Sequence, residues 1–367
     1  MAIPFFGIDL NSLLSLLSYG FIFVFVLFGQ RIQFYSILGG IGRSVKRLDV
    51  MRDKARNETV DYFIKTGKAG KDIVERIDRF LEYVTIMPVS LDPSGIVRKI
   101  EHLANTSDDR VRGEVAGLMK GADSVSLSIA QNLLEIAGGL NMMDKVVRHF
   151  YLTGKKTNSY MTLMQLQMSL PQILEQADAL VKAVGAIKLG QPIGDGVGPM
   201  VASKFTSGLV KQAIAKDTVM SVTEYKARTL YVIKAEGPMG YVGQPGVAIQ
   251  KVVEEMGVNL DAIIMVDAAA KLEGENAGEI AEGVGAAIGG TGVEKFEIEE
   301  VASKHNIPVY AVLVKEGELD VMATMKKEIS DAAERVVGMV SKIIEEKTKE
   351  GDRVLLAGIG NTLGIGQ

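Results

Sequence analysis

The feature that most restricts the fold is a change of hydrophobic period near Leu189. Before it, apolar residues recur at spacings of three and four, as along Leu170, Ile173, Leu174, Ala177, Leu180, Val181, Val184 and Ile187, the pattern of amphipathic helices. After it, short unbroken apolar runs alternate with helical segments: LYVIKA (230–235), AIIMVD (262–267), PVYAVLV (308–314) and RVLLAGI (353–359). The longest intervening segment carries an apolar face on Met322, Met325, Ile329, Ala333, Val336, Val340 and Ile343. Strands apolar throughout and separated by helices predict an α/β domain over 189–367, with a mostly parallel sheet covered by helices on both faces. An all-α middle region is expected over 31–188, where Asp108 or Asp109 is placed to cap VRGEVAGLM.

The first thirty residues predict a transmembrane helix. From Leu13 to Gly29 no residue is charged, and with Asn11, Ser12 and Gln30 the stretch approaches the ~20 residues that cross a bilayer. Only Asp9 is charged in front of it, whereas Arg31, Arg43, Lys46, Arg47, Arg52, Lys54 and Arg56 follow. That asymmetry predicts a short extracytoplasmic N-terminus over 1–12 and a span over 13–30 with the lipid bilayer as partner. It also predicts a single-pass location at the cell membrane with the body in the cytoplasm. The basic, amphipathic stretch from Arg31 to about Phe80 reads as a segment against anionic headgroups, as a continuing stalk or as a solvated charged helix.

Composition removes several chemistries. The chain has no cysteine, which excludes disulfides, thiolate catalysis and cysteine-based zinc sites. Its three histidines, His102, His149 and His305, are too few for a histidine-rich metal centre, and a net charge of -4 offers nucleic acid no general attraction. There is no G-x-S-x-G elbow for Ser-His-Asp hydrolysis and no G-x-x-x-x-G-K-(S/T) phosphate loop.

What remains is glycine-rich loops around two carboxylates. GQPIGDGVGPM (190–200) sets four glycines and two prolines around Asp195 before an apolar stretch that can begin a helix. Asp267 ends the apolar strand IIMVD, at the sheet edge where open α/β folds keep their sites. Further loops follow in VIKAEGPMGYVGQPGVAIQ (232–250), GVGAAIGGTGVEKF (283–296) and the terminal VLLAGIGNTLGIGQ (354–367). Gly194, Gly196, Gly243, Gly246, Gly290, Gly292 and Asn361 are the expected ligand- or cofactor-binding positions, because amide groups at helix starts can bind an anion or stabilise an oxyanion.

GQPIGDGVGPMVA resembles the G-N-x-L-x-x-D-(D/E)-G-x-G-x signature of hydrogenase maturation endopeptidases and the T-P-D-A-L-G-P of spore germination proteases. IIMVDAAAK is similar to the second aspartate motif of those proteases. GGTGVEKFEIEEVASKHNIPVYAV resembles their P-G-S-G-V segment with its following helix and strand. VLLAGIGNTL resembles the strand and G-x-G-N loop that come first in those families but last here. The resemblance therefore implies a circularly permuted version of the same fold, in which Asn361 meets Asp195. It also implies a peptidase-like hydrolase with Asp195 and Asp267 catalytic, either sharing a proton or holding a divalent cation. Gly196 stands where the maturation proteases have a second acidic residue, and no histidine stands at their metal-ligand position, which argues against a nickel-dependent activity. The whole chain resembles an archaeal family of membrane-anchored proteins, domain of unknown function 1512, whose role that resemblance does not supply. A non-catalytic nucleotide- or anion-binding protein and a scaffold at the membrane stay open beside the hydrolase.

Overall fold

The computed structural model describes residues 10–67, 72–84, 95–290 and 292–366. Five helices come first: α1 (Leu10–Gly67), α2 (Ile73–Leu81), α3 (Ile96–Leu118), α4 (Ser124–Thr157) and α5 (Tyr160–Lys188). The chain forms two compact units, one of residues 1–50 and 142–174, the other of residues 51–141 and 175–367. In the first, Ile41, Leu48, Val147 and Leu163 are buried, and Arg148 bridges Asp49 and Asp144, each at 3.0 Å. In the second, Phe63 of α1, Ile77 of α2, Val115 of α3 and Leu134 of α4 share one apolar core.

The transmembrane reading is overturned. Among the described residues no helix is long and apolar enough to cross a membrane. The uncharged run Leu13–Gly29 is the first part of the 58-residue α1, which passes without a break into its charged continuation. Seventeen residues of helix rise only about 25 Å, short of a ~30 Å hydrocarbon core, and Ser15, Ser18 and Tyr19 dilute the run further. The single-pass location and cytoplasmic orientation fall with that helix, and the bilayer as partner through 13–30 loses its support. Residues 1–9 of the expected extracytoplasmic segment lie outside the described residues.

Asp108 and Asp109 do not cap a separate helix, because α3 runs through them. Asp108 instead accepts hydrogen bonds from Arg112 at 3.0 Å and from Lys216 at 2.6 Å, tying the helical layer to the α/β part of the same unit.

That part holds seven strands: β1 (Gln212–Ala215), β2 (Thr218–Tyr225), β3 (Arg228–Ala235), β4 (Ala262–Ala270), β5 (Ile280–Val284), β6 (Val309–Glu316) and β7 (Arg353–Gly358). They form one sheet in the order β1-β2-β3-β7-β4-β6-β5. The sheet is mixed rather than mostly parallel. β3, β7, β4 and β6 run parallel, while β1, β2 and β5 add antiparallel edges. Connection length decides this: only Lys226 and Ala227, at φ 48° and 60°, join β2 to β3, a left-handed two-residue turn that leaves no room for a crossover helix.

Helices do cover both faces. α6 (Val197–Thr206) and α10 (Lys327–Lys347) pack on one with Leu230, Ile264, Val312 and Leu356. α10 starts later than the sequence suggests, since Met322 ends the short α9 (Glu318–Met322). α7 (Pro245–Gln250) and α8 (Val293–His305) cover the other face with Ile233, Ile263, Met265 and Leu355. The last strand, β7, lies at the centre of the sheet with Leu355 and Leu356 fully buried on opposite faces. Leu356→Ala is expected to lower the unfolding free energy by about 2–5 kcal/mol. Val284→Ala, 87% exposed on the β5 edge, should change it by less than about 0.5 kcal/mol. Urea melts of the two variants check the contrast.

Candidate functional site

Asp267 lies near the C-terminal end of β4, in register with Leu313 of β6. The chain leaving β7 stays beside it, because the Ile359 N–H donates to the Val266 carbonyl at 2.8 Å. Over these two strand ends sits a single tight turn, Gly194–Gly196, that leads straight into α6. The approach is close enough to exclude side chains: a Cβ on Gly198 would lie 2.1 Å from the Ile359 carbonyl oxygen and 2.4 Å from that of Val266. Gly360, at φ +128°, faces the Asp195 carbonyl in the same way, with an added Cβ only 1.9 Å away. Closeness of backbone to backbone is thus what Gly198, Gly358 and Gly360 supply.

The Asp195 carboxylate accepts the Asn361 N–H at 2.7 Å across 166 positions of sequence. Asn361 is itself fixed, its Oδ1 accepting the Leu363 N–H at 2.9 Å. Asp195 and Asp267 both line one cavity of about 490 Å³, together with Gly243, Gly290, Gly292, Glu294 and Glu318. Burial raises the Asp195 carboxyl above the ordinary carboxylate range against the opposing Asn361 bond. For Asp267, burial first and the negative charge of Asp195 second push the carboxyl up to about 8, although the Ala268 N–H donates to it at 2.8 Å. The charge of Asp195 thus adds to burial in disfavouring ionisation of Asp267.

A third carboxyl stands behind them. Glu316, the last residue of β6, is fully buried, and neither of its oxygens has a hydrogen-bond partner. Burial, then Asp195 and Asp320, push it up to about 8, with Lys326 opposing. Its carboxylate presses on Gly194, where a Cβ would come within 2.2 Å of Oε2 and within 2.3 Å of the Asp320 carbonyl oxygen.

Two family models match the sequence: Protein of unknown function (DUF1512) N-terminal domain over residues 15–190, and Domain of unknown function (DUF1512) C-terminal over residues 193–366. The chain belongs to the DUF1512 family. Among curated proteins none matches.

Of the positions singled out in this DUF1512 chain, Asp195, Asp267, Gly243, Gly290 and Gly292 line one cavity, and Asn361 holds Asp195 from behind. Gly194 and Gly196 serve packing: Gly194 admits Glu316, and Gly196 faces Ile365 and the Asn361 carbonyl. Gly246 is not an open anion cradle, since its N–H already donates to the Glu294 carboxylate at 2.5 Å. Glu294 stays up near 7, through burial first and then Glu297 and Glu101, with the Gly246 bond opposing. Sequence reasoning passed over Glu294, Glu316 and Glu318. Glu316 had a usable signal, an acid closing an apolar strand as Asp267 does. Among the described residues no group of three or more histidine, cysteine, aspartate or glutamate side chains is arranged to hold a metal ion.

Gly194→Ala is expected to destabilise the protein by roughly 1–3 kcal/mol or more, because the new methyl meets both a carboxylate and a backbone carbonyl. Gly185→Ala, inside α5 with nothing within 4 Å of the new atom, should stabilise by about 0.5–1 kcal/mol. Thermal melts of the two glycine variants give the comparison.

Proposed function

We propose that this protein is a hydrolase that cleaves an amide bond of a polypeptide with Asp195 and Asp267 as its acid–base pair. The observation that carries the reading is that these two carboxyls share one cavity at the C-terminal edge of the sheet, with the charge of Asp195 helping to hold the proton on Asp267. Asp195 has the Asn361 amide to stabilise its charge and is the base that takes a proton from water. The hydroxyl oxygen attacks the carbonyl carbon while Asp267 gives its proton to the substrate. The C–N bond then breaks with the proton passing to the leaving nitrogen, and the acids exchange roles to reset. Resemblance of the aspartate motifs to those of maturation and germination proteases supports the peptide bond as the target.

The surroundings favour this over anion binding. Among its described lining residues the cavity has Asp195, Asp267, Glu294 and Glu318 but no lysine or arginine, so a phosphate would meet net repulsion. The nearby helix start at Gly246 is already taken by a carboxylate.

The test is incubation of the full chain with a proteome-derived peptide mixture in ¹⁸O-labelled water. Wild type should give new carboxyl termini carrying the label, and Asp195→Asn and Asp267→Asn should each lower the rate by ~10³-fold or more. Equal cleavage by wild type and both variants would dismiss the reading.

Stability should carry the same signature. The folded protein keeps a proton on Asp267 up to about pH 8, whereas the unfolded chain releases it near the ordinary value of 3.8. The contribution of Asp267 to stability is therefore fully present below about pH 4 and lost as pH rises through about 8. In Asp267→Asn that fall should become shallower by about one proton, with the share owed to Glu316 remaining. Urea midpoints measured from pH 4.5 to 9 check it.

A further inference from the structure

We infer that Asp195 separates two subsites, and that the apolar cavity on its other side seats a leucine, isoleucine or methionine side chain of the polypeptide, next to the bond being cleaved. The inference rests on the hydrolase reading and adds the substrate class to it.

The cavity, about 360 Å³, belongs wholly to the second compact unit. Its walls are Ile136 of α4, Leu180 and Ile187 of α5, Ile193 just ahead of the Asp195 turn, and Val321 and Met322 of α9. Asp195 and Asn361 line it too, and Asp195 and Val321 are shared with the cavity that contains Asp267. A group held among these aliphatic side chains therefore lies against the same carboxylate that faces the reacting bond. The volume, at the small end of the ~300–1,000 Å³ of ligand sites, has ample room for one aliphatic side chain.

The remaining polar lining, Asn132 and Glu135, is partly engaged elsewhere. The Asn132 side chain donates to the Ser128 and Gly240 carbonyls at 2.9 and 3.2 Å, and the Glu135 carboxylate accepts from Gln131 at 3.1 Å. A polar occupant would give up its own water for aliphatic walls, whereas an aliphatic one gains by leaving water. Because the cavity opens beside an acid–base group, its occupant is attached to the reacting bond, which makes it a substrate side chain.

The experiment uses the full-length Asp195→Asn variant, which should bind without turnover, labelled with ¹³C at methionine methyls. N-acetyl-leucinamide should shift the Met322 methyl resonance saturably and at least ~10-fold more tightly than N-acetyl-glycinamide. Ala183→Phe, which fills the cavity from α5, should abolish the shift. If that variant fails to fold, Val321→Phe fills the same space from α9. No saturable shift at Met322, or equal affinity for the two amides, would overturn the inference. Cleavage sites from the peptide mixture separate it from the reading beneath it. Enrichment of aliphatic residues at one position beside the cut supports both. Cleavage without enrichment overturns the subsite and leaves the hydrolase, and saturable binding with no cleavage of any peptide leaves the aliphatic site and removes the hydrolase.

Discussion

Close backbone contact between the 194–198 turn and the ends of β4 and β7 is the constraint on which the rest of the site depends. Gly198 sits where any Cβ would run into two carbonyl oxygens, and Gly358 presents the matching surface, with an added Cβ only 2.5 Å from the Gly198 carbonyl oxygen. Since α6 begins at Val197, the helix arrives at the sheet with its first turn nearly touching the strands. Val197, Val201 and Ala202 are then fully buried against Leu230, Val266 and Leu356. The same contact delivers Asp195 to the Asn361 amide. Packing and site are therefore one arrangement, and a bulkier residue in the turn would cost both.

The central strands of the fold were plain in the sequence, because β3, β4, β6 and β7 are apolar on both faces and only a doubly covered sheet gives that pattern. The antiparallel edges were not. β2 reads TVMSVTEY, buried at one end and alternating at the other, and β5 reads IAEGV with two exposed positions and a glycine. Neither carries a continuous apolar signal, and the turn between β2 and β3 uses lysine and alanine where glycine or asparagine would have announced it. The N-terminal error has a different source. The uncharged run has nearly the length of a span, but it is the head of one 58-residue helix and its serines lower its hydropathy. Asp195, Asp267 and Asn361 were legible because glycine, proline and a strand end restrict where an acid can point. Glu294 and Glu318 were not, since a glutamate in the first turn of a helix is ordinary in any sequence.

Glycine does three separate jobs in loops that look alike on paper. Gly194, Gly198 and Gly360 allow backbones to touch. Gly243, at φ +71°, turns the chain where a Cβ would strike the Thr218 hydroxyl oxygen. Gly290 and Gly292, at φ +90° and +85°, have open space around them and line the acidic cavity. Only the last pair combines a left-handed backbone with open space beside the Cβ position at the entrance to α8. A glycine-rich loop is therefore weak evidence for anion binding until its amide groups are accounted for, and at Gly246 the accounting ends on a carboxylate of the protein itself.

The buried carboxyl groups carry a cost of their own. Asp267 is 7% exposed and Glu316 fully buried. An acid so placed gives up solvation that a hydrophobic residue would not miss. Valine or leucine in their place would pack without that cost, so each carboxyl stays protonated well above the ordinary carboxylate range. The two matched family segments bear on the same point. Residues 15–190 supply Ile136, Leu180 and Ile187, residues 193–366 supply Asp195, Val321 and Asn361, and the aliphatic cavity exists only where they meet. Neither segment encloses Asp195 alone. The helical half thus does more than accompany the α/β half: it forms one wall of the space in front of the acid, and with it the shape of whatever that acid can reach.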